Sequence, residues 1–343
     1  MKANILLLPA ALLLAAACAL SSCKKAPEGP QTLILETDMG NDIDDALALA
    51  LCYKGTNDGK INLALVSNHK ASETASAFID MMNTRYGYPD VPVAKCTTPV
   101  VNKTRDYTEP VVRQEEVSYP VSGHYDGSYP DPVVEYRRIL SSSPNRSVVV
   151  VSLGFGTALA QLLESGPDEF SRLSGRDLVK KKVKYLSIMA GSYGPEDDIP
   201  VGGVRDTLFD ATKKSVEYNV RNDIPAMQKV FAEWPSPIYQ NPFQLGIKVL
   251  YPGEAIWTRP GVLADSYRAY KPECYDRPSW DVLSVAFVLR PDLFTVSDPV
   301  TVSVDEKGYT NVVPGGNHRI LTLTRDQIAA LTEYETVETA SFD

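Results

Sequence analysis

The stretch ETDMGNDIDDALALA, residues 36–50, decides how this chain is read. An apolar run, Leu33-Ile34-Leu35, leads straight into Asp38, and the chain then turns through Gly40 and Asn41. Asp42, Asp44 and Asp45 follow before Ala46-Leu47-Ala48-Leu49 begins a helical apolar pattern. This is the signature of a buried strand, a short turn, and a helix whose first turn is crowded with carboxylates. Each carboxylate there gains roughly 0.3–1 kcal/mol from the helix dipole. That gain does not offset the mutual repulsion of Asp38, Asp42, Asp44 and Asp45 in so short a span. A bound cation does, and hard oxygen ligands suit Ca²⁺ or Mg²⁺ rather than zinc.

Outward from this stretch, strand-like and helix-like segments alternate over the first two-thirds of the chain. Leu63–Ser67 and Val91–Ala94 read as strands, and Ala71–Arg85 and Val133–Leu140 as helices. Ser147–Ser152 (Ser-Val-Val-Val-Val-Ser) is the clearest buried strand, with Thr157–Leu163 helical behind it, and Lys184–Met189 is another strand before a Gly- and Pro-rich loop to Gly203. The alternation predicts an α/β fold: a mostly parallel open sheet with helices on both faces. Ligands bind such sheets outside the carboxyl ends of the strands, where Asp38 is expected. The last forty or so residues carry short β segments, Val300–Val304 and His318–Thr324, and a closing helix, Arg325–Tyr334. They are read as an extension of one domain over residues 32–343.

The chain has 343 residues, a net charge of −9 and five cysteines. The acidic balance argues against a nucleic-acid partner. The one basic cluster, Lys180 to Lys184, is expected to be a solvated loop. Lys2 followed by the apolar run Ile5–Leu20 has the layout of an export signal and is short for a membrane span. Leu20-Ser21-Ser22-Cys23 resembles a bacterial lipoprotein cleavage site. It implies a signal peptide over 1–22, a lipid on Cys23, a flexible tether over 23–31 and a protein anchored to the bacterial cell envelope. Of the remaining cysteines, Cys52, Cys96 and Cys274 have no metal-binding spacing.

The opening stretch also resembles the calcium site of the nucleoside hydrolases, the inosine-uridine-preferring N-ribohydrolases, and four further segments match in the same order. Leu65-Val66-Ser67-Asn68 ends the second strand with an Asn. Leu153-Gly154-Phe155-Gly156-Thr157 is similar to the family's Gly-Pro-Leu-Thr-Asn turn. Glu217-Tyr218-Asn219, followed by Asp223, resembles Glu-Phe-Asn, and Ser279-Trp280-Asp281 stands where the family has His-Asp before an apolar helix. The resemblance spans about Leu33 to Leu293. It implies a Rossmann-like nucleoside hydrolase fold, a Ca²⁺ cofactor and a ribonucleoside substrate, within assemblies that are often dimers or tetramers. The metal ligands it implies are Asp38, Asp45, Asp281 and the Thr157 carbonyl. Asp38 is implied as the base that activates water. Asp44, Asn68, Glu217 and Asn219 are implied as sugar-binding residues, with His124 in a substrate-facing loop. The chemistry suits such a set, because cleaving an N-glycosidic bond builds an oxocarbenium-like sugar that oxygen ligands and a bound cation can hold.

The chain departs from the family at several positions. Five residues, not three, separate Asp38 from Asp44, with Asp42 lodged between them, so Asp42 competes with Asp44 in the alignment. Glu36 replaces the usual first Asp, and Trp280 replaces a His proposed as the acid for the leaving base. Trp donates no proton on a useful timescale, but its ring can stack on a base or a sugar. Two other readings compete. A phosphatase with Asp-x-Asp at its first strand needs a nucleophilic Asp where Glu36 stands. A lipoprotein that binds a nucleoside or sugar without cleaving it would explain Trp280, but it has no need of Asp38.

Overall fold

A computed structural model describes residues 29–101, 106–115, 118–193 and 216–341. The signal segment, Cys23 and most of the loop to Gly203 lie outside the described residues. The chain runs β1 (Gln31–Thr37), α1 (Asp44–Asn57), β2 (Ile61–Lys70), α2 (Ala75–Arg85), β3 (Val93–Val100), α3 (Thr108–Val112), α4 (Pro132–Ser142), β4 (Val148–Ser152), α5 (Thr157–Glu164), α6 (Gly175–Lys182) and β5 (Val183–Met189). It continues through α7 (Tyr218–Asn222), α8 (Ile224–Glu233), β6 (Ile238–Asn241), α9 (Phe243–Gly246), β7 (Leu250–Tyr251), α10 (Val262–Tyr270), β8 (Arg277–Pro278) and α11 (Trp280–Leu289). It closes with β9 (Thr295–Val296), β10 (Val300–Val304), β11 (Thr310–Pro314), β12 (His318–Thr322) and α12 (Arg325–Ala340).

Among the described residues, ten strands form one sheet in the order β11-β10-β12-β6-β5-β4-β1-β2-β3, with β9 pairing β12. The strands from β3 to β12 through β1 pair in parallel, and β9, β10 and β11 add antiparallel pairs at the far side. The expected open, mostly parallel α/β sheet is therefore present. Its two apolar faces follow from the two-residue period of a strand. Leu33, Leu35, Val149 and Val151 point into one core, built with α1, α2 and α11. Ile34, Leu65, Val148 and Val150 point into the other, built with α4, α5, α6 and α8. Helix α1 is buried without interruption from Asp44 to Tyr53, as its all-round apolar sequence requires.

The basic run is not a loop. Lys180, Lys181 and Lys182 form the last turn of α6, where positive charge complements the helix dipole, and Lys184 lies in β5. Lys182 Nζ donates to the Ser143 carbonyl at 2.5 Å, and Lys184 Nζ to Gln31 Oε1 at 3.0 Å. The C-terminal β segments join the main sheet, because β12 pairs in parallel with β6 and the paired strands extend it outward.

Candidate active site

Strand β1 delivers Asp38 one residue beyond its carboxyl end, between β2 and β4. Glu36 pairs in register with Ser152, and Thr37 with Asn68. The approach is so close that a Cβ on Gly154 would stand 2.7 Å from Asp38 Cβ and 2.8 Å from Asp38 N. Glycine at 154 is a condition of the Asp38 position. The chain then turns at Gly40, whose φ of 102° is a left-handed conformation that glycine adopts without strain. Asp44 and Asp45 follow as the first two residues of α1.

A cavity of about 260 Å³ opens at this edge of the sheet. Asp38, Asn41, Asp42, Asp44 and Asp281 form its acidic wall. Leu153, Met189, Glu217, Tyr218 and Asn219 close a second side, and Phe243, Tyr270, Arg277 and Trp280 form an aromatic and cationic rim. The acids are nearly inaccessible: Asp38 is 4% exposed, Asp44 1%, Asp45 0% and Asp281 5%.

Asp38, Asp45 and Asp44 each keep one oxygen engaged. Asn41 Nδ2 donates to Asp38 Oδ2, Thr37 Oγ1 to Asp45 Oδ1, and the backbone N–H of Asp281 to Asp44 Oδ2 at 2.9 Å. Asp44 Oδ1 and Asp45 Oδ2 are buried and have no hydrogen-bond partner. Burial, opposed chiefly by the Asn41 bond, pushes the Asp38 carboxyl up to about 6. Asp44, Asp45 and Asp281 are driven well above the carboxylate range by burial and then by neighbouring acids: Asp42 acts on Asp44, Asp38 on Asp45, and Asp44 on Asp281. Among the described residues no three carboxyl, imidazole or thiol groups stand together as a finished ion cage. The donor set nevertheless fits a hard cation, because it is all oxygen, buried, mutually repelling, and has two oxygens uncommitted.

Asp42 and Asp44, which compete in sequence, have different surroundings. Asp42 is clamped by Arg277, whose Nε donates to Oδ1 at 2.8 Å and whose Nη2 donates to Oδ2. The guanidinium lies over the rings of Tyr270 and Trp280, 5.0 and 5.2 Å from their centroids. Asp44 faces Asp281 instead.

Glu217 and Asn219 reach the cavity but are largely tied to backbone. Glu217 caps α7, accepting from Asn219 N at 2.8 Å, Val220 N at 3.0 Å and Gly191 N at 3.3 Å. Burial outweighs these bonds and lifts its carboxyl to about 7. Asn219 Nδ2 donates to the carbonyls of Leu153 at 2.7 Å and Met189 at 3.1 Å, joining the ends of β4 and β5. Trp280 Nε1 donates to the Phe243 carbonyl at 3.0 Å, and the two rings stand 5.4 Å apart. Its indole is thereby fixed at the rim.

Other expected site residues lie off the cavity lining. Asn68 is buried at the end of β2 and donates to the Lys70 carbonyl at 3.1 Å. Thr157 Oγ1 donates to Asp223 Oδ2 at 2.6 Å at the start of α5. His124 is not brought to the cavity: it is about half exposed, with Nε2 3.2 Å from Asp90. Its loop folds back near α2, where Ser122 N donates to Asp80 Oδ2 at 3.2 Å. The other two histidines are also elsewhere, His69 beneath the Phe155 turn and His318 against the Phe231 carbonyl. Glu36 faces the opposite side of the sheet from Thr37, where it accepts from Tyr136 OH at 2.5 Å.

The cavity also holds groups that the sequence reading missed. Arg277, Tyr270 and Phe243 carry no local signal; only the closeness of Arg277 to Trp280-Asp281 hints at a role. Asn41 sits inside the quoted stretch, where its sequence context predicts no more than a turn residue.

Fold and site together define an open α/β protein with an acid-walled, aromatic-rimmed cavity at the carboxyl edge of its sheet. Residues 33–335 match the family described as inosine-uridine preferring nucleoside hydrolase, and the chain belongs to that family. Its class is that of a nucleoside N-ribohydrolase, and the family binds a metal ion. No curated protein sequence matches the chain significantly. Among solved structures, it resembles a purine-preferring ribonucleoside hydrolase from Gardnerella vaginalis, at 18% identity and a TM-score of 0.66, over 91% of this chain and 99% of that one. It resembles an inosine-guanosine nucleoside hydrolase at 16% identity and a TM-score of 0.64, over 91% and 99%. The type III effector protein XopQ, solved with adenosine diphosphate ribose, is similar at 16% identity and a TM-score of 0.60, over 92% and 94%. At such identities these likenesses speak for the fold.

Proposed function

We propose that this protein is a calcium-dependent ribonucleoside hydrolase in which Asp38 takes the proton from the attacking water. The observation that carries the reading is the set of buried acids at the end of β1, with Asp44 Oδ1 and Asp45 Oδ2 uncommitted beside a small-molecule cavity. Asp38, Asp45, Asp281 and the Thr157 carbonyl would hold the ion. When bound, it supplies charge that acidifies water and holds sugar hydroxyls. Asp38 accepts the proton at a carboxylate oxygen, with Asn41 fixing its orientation. Asp44 takes sugar hydroxyls, with Glu217 and Asn219 shaping the wall around them and Asn68 supporting the end of β2 behind it. None of the three histidines lines the cavity, so Trp280, braced by Phe243 and Arg277, holds the leaving base by stacking. The molecule would be displayed on the cell envelope through a lipid on Cys23.

The test is ribose release from a panel of purine and pyrimidine ribonucleosides by the purified full chain, with calcium and with a chelator. Calcium-dependent release is expected, greatest for bases with the larger stacking surface. Nucleoside binding without release would instead identify a binding lipoprotein. Metabolic labelling with a radioactive fatty acid tests the anchor, and Cys23→Ser is expected to remove the label.

A further inference from the structure

We infer that Lys70 is a built-in counter-charge of the carboxylate cluster, which supports the fold without an ion and loosens the ion that the cluster binds. The second half of this inference rests on the metal-dependent reading above. Lys70 ends β2, two residues after Asn68, and its side chain is 3% exposed. Its Nζ has no hydrogen-bond partner among the described residues. The carboxylate paired with it, Asp106 Oδ2, is 4.0 Å away, beyond hydrogen-bond range. Asp106 is also engaged elsewhere: Oδ2 accepts from Ser72 Oγ at 2.5 Å, and Oδ1 from Thr108 N at 3.0 Å and Thr108 Oγ1 at 2.6 Å.

Burying an ammonium without hydrogen bonds is costly unless opposite charge surrounds it. The surroundings provide that charge. Asp106 packs against the loop between Asp38 and Asp44, since a Cβ on Gly40 would lie 2.5 Å from Asp106 Oδ1. Burial draws the Lys70 ammonium down, and Asp106, Asp38 and Asp45 draw it back up. Lys70 in turn helps to draw the Asp38 carboxyl down. Among the described residues, the cation lining the cavity, Arg277, is bound to Asp42 through both carboxylate oxygens. Lys70 is therefore a charge held near the acids without a directional bond, and a methionine of similar length would fill its place without that charge. Such a charge offsets the repulsion between Asp38 and Asp45. It also repels any divalent ion the acids take up, which keeps binding reversible.

The test compares the full chain with Lys70→Met, and with Lys70→Gln in case the Met variant does not fold. Melting of the chelator-treated proteins is measured in the native and in the Asp45→Asn backgrounds, and calcium binding is measured by isothermal titration. The neutral variants are expected to melt lower than the native chain when metal-free. That loss should shrink by about half or more once Asp45 is also neutral. They are also expected to bind calcium on the order of tenfold more tightly. An unchanged melting temperature, or an equal loss in both backgrounds, would reduce Lys70 to a packing residue and overturn the inference. Unchanged or weaker calcium binding by the variants would overturn its second half. Calcium binding by no form of the protein would refute the metal-dependent reading, and the melting comparison would still decide the counter-charge.

Discussion

Asp38 and Gly154 are one unit at the residue scale, because the glycine leaves the space that the Asp38 carboxylate occupies. An alanine at 154 would put its Cβ within 2.7–2.9 Å of Asp38 Cβ, N and Cγ, and the Asp38 backbone cannot yield as a flexible side-chain tip would. Gly154→Ala is expected to destabilise the fold by about 1–3 kcal/mol, as overpacking does. It should also lower kcat about tenfold or more by moving the base off its line of attack. A thermal melt and steady-state kinetics check the two effects separately. Asp38→Asn keeps the shape and removes the proposed base. Its kcat should fall about 10³-fold, and calcium affinity should weaken as well, since Asp38 is also one of the proposed ligands of the ion. Turnover that survived this change would move the base to another residue. These acids were legible in sequence because they are adjacent to one another and to a strand end and a helix start. Arg277 and Lys70 were not, because a lone charge has no periodicity and its partner is set by tertiary contact. Asp42 meets Arg277 across 235 residues of chain.

At the scale of elements, α11 presents Trp280 and Asp281 to the cavity, and its first turn is fastened from behind by α12. Ser279 Oγ donates to Glu335 Oε1 at 2.6 Å, and Glu335 is buried with its second oxygen unpartnered. Burial, opposed by the Ser279 bond, pushes this carboxyl from 4.5 up to about 8. A carboxyl raised in this way holds its proton more tightly in the folded chain than in the unfolded one. The fold is therefore expected to lose stability as pH climbs from about 4.5 to about 8, with the loss complete above that window. Glu335→Gln keeps the acceptor for Ser279 and removes the titration, so its stability should decline less across the window, by a few kcal/mol. Urea unfolding of the metal-free proteins near the two ends of the window measures the difference, and parallel declines would assign the pH dependence to other groups. The strand–helix alternation made β1 to β5 readable in sequence. Strand β6, at four residues, and helix α9 carry too little pattern for that, although α9 lends Phe243 to the cavity and Asn241 of β6 donates to the Trp280 carbonyl. Helix α12 is longer than its sequence pattern predicts: it continues beyond Tyr334 to Ala340, and its buried Glu335 lies just past the expected end.

For the whole molecule, the C-terminal flank completes the sheet that positions the site. Strand β12 covers the free edge of β6, pairing His318 with Ile238 and Ile320 with Gln240. His318 Nε2 meets the Phe231 carbonyl at 2.9 Å, while Leu321 and Leu331 are buried in the same core as α1 and α11. The sequence showed β character there at Val300–Val304 and His318–Thr324 but not which edge it would join, since register and strand order are set by long-range packing. A chain ending at Leu293 would leave β6 as an unpaired edge with apolar neighbours, a template for association. It would also release Ser279 from Glu335 behind Trp280 and Asp281. Such a truncation is expected to elute as aggregate in size-exclusion chromatography and to lose its near-ultraviolet circular dichroism and its calcium binding together. A soluble, calcium-binding truncation would show instead that the seven parallel-paired strands need only their first six, with the acid cluster assembled from β1, α1 and α11 alone.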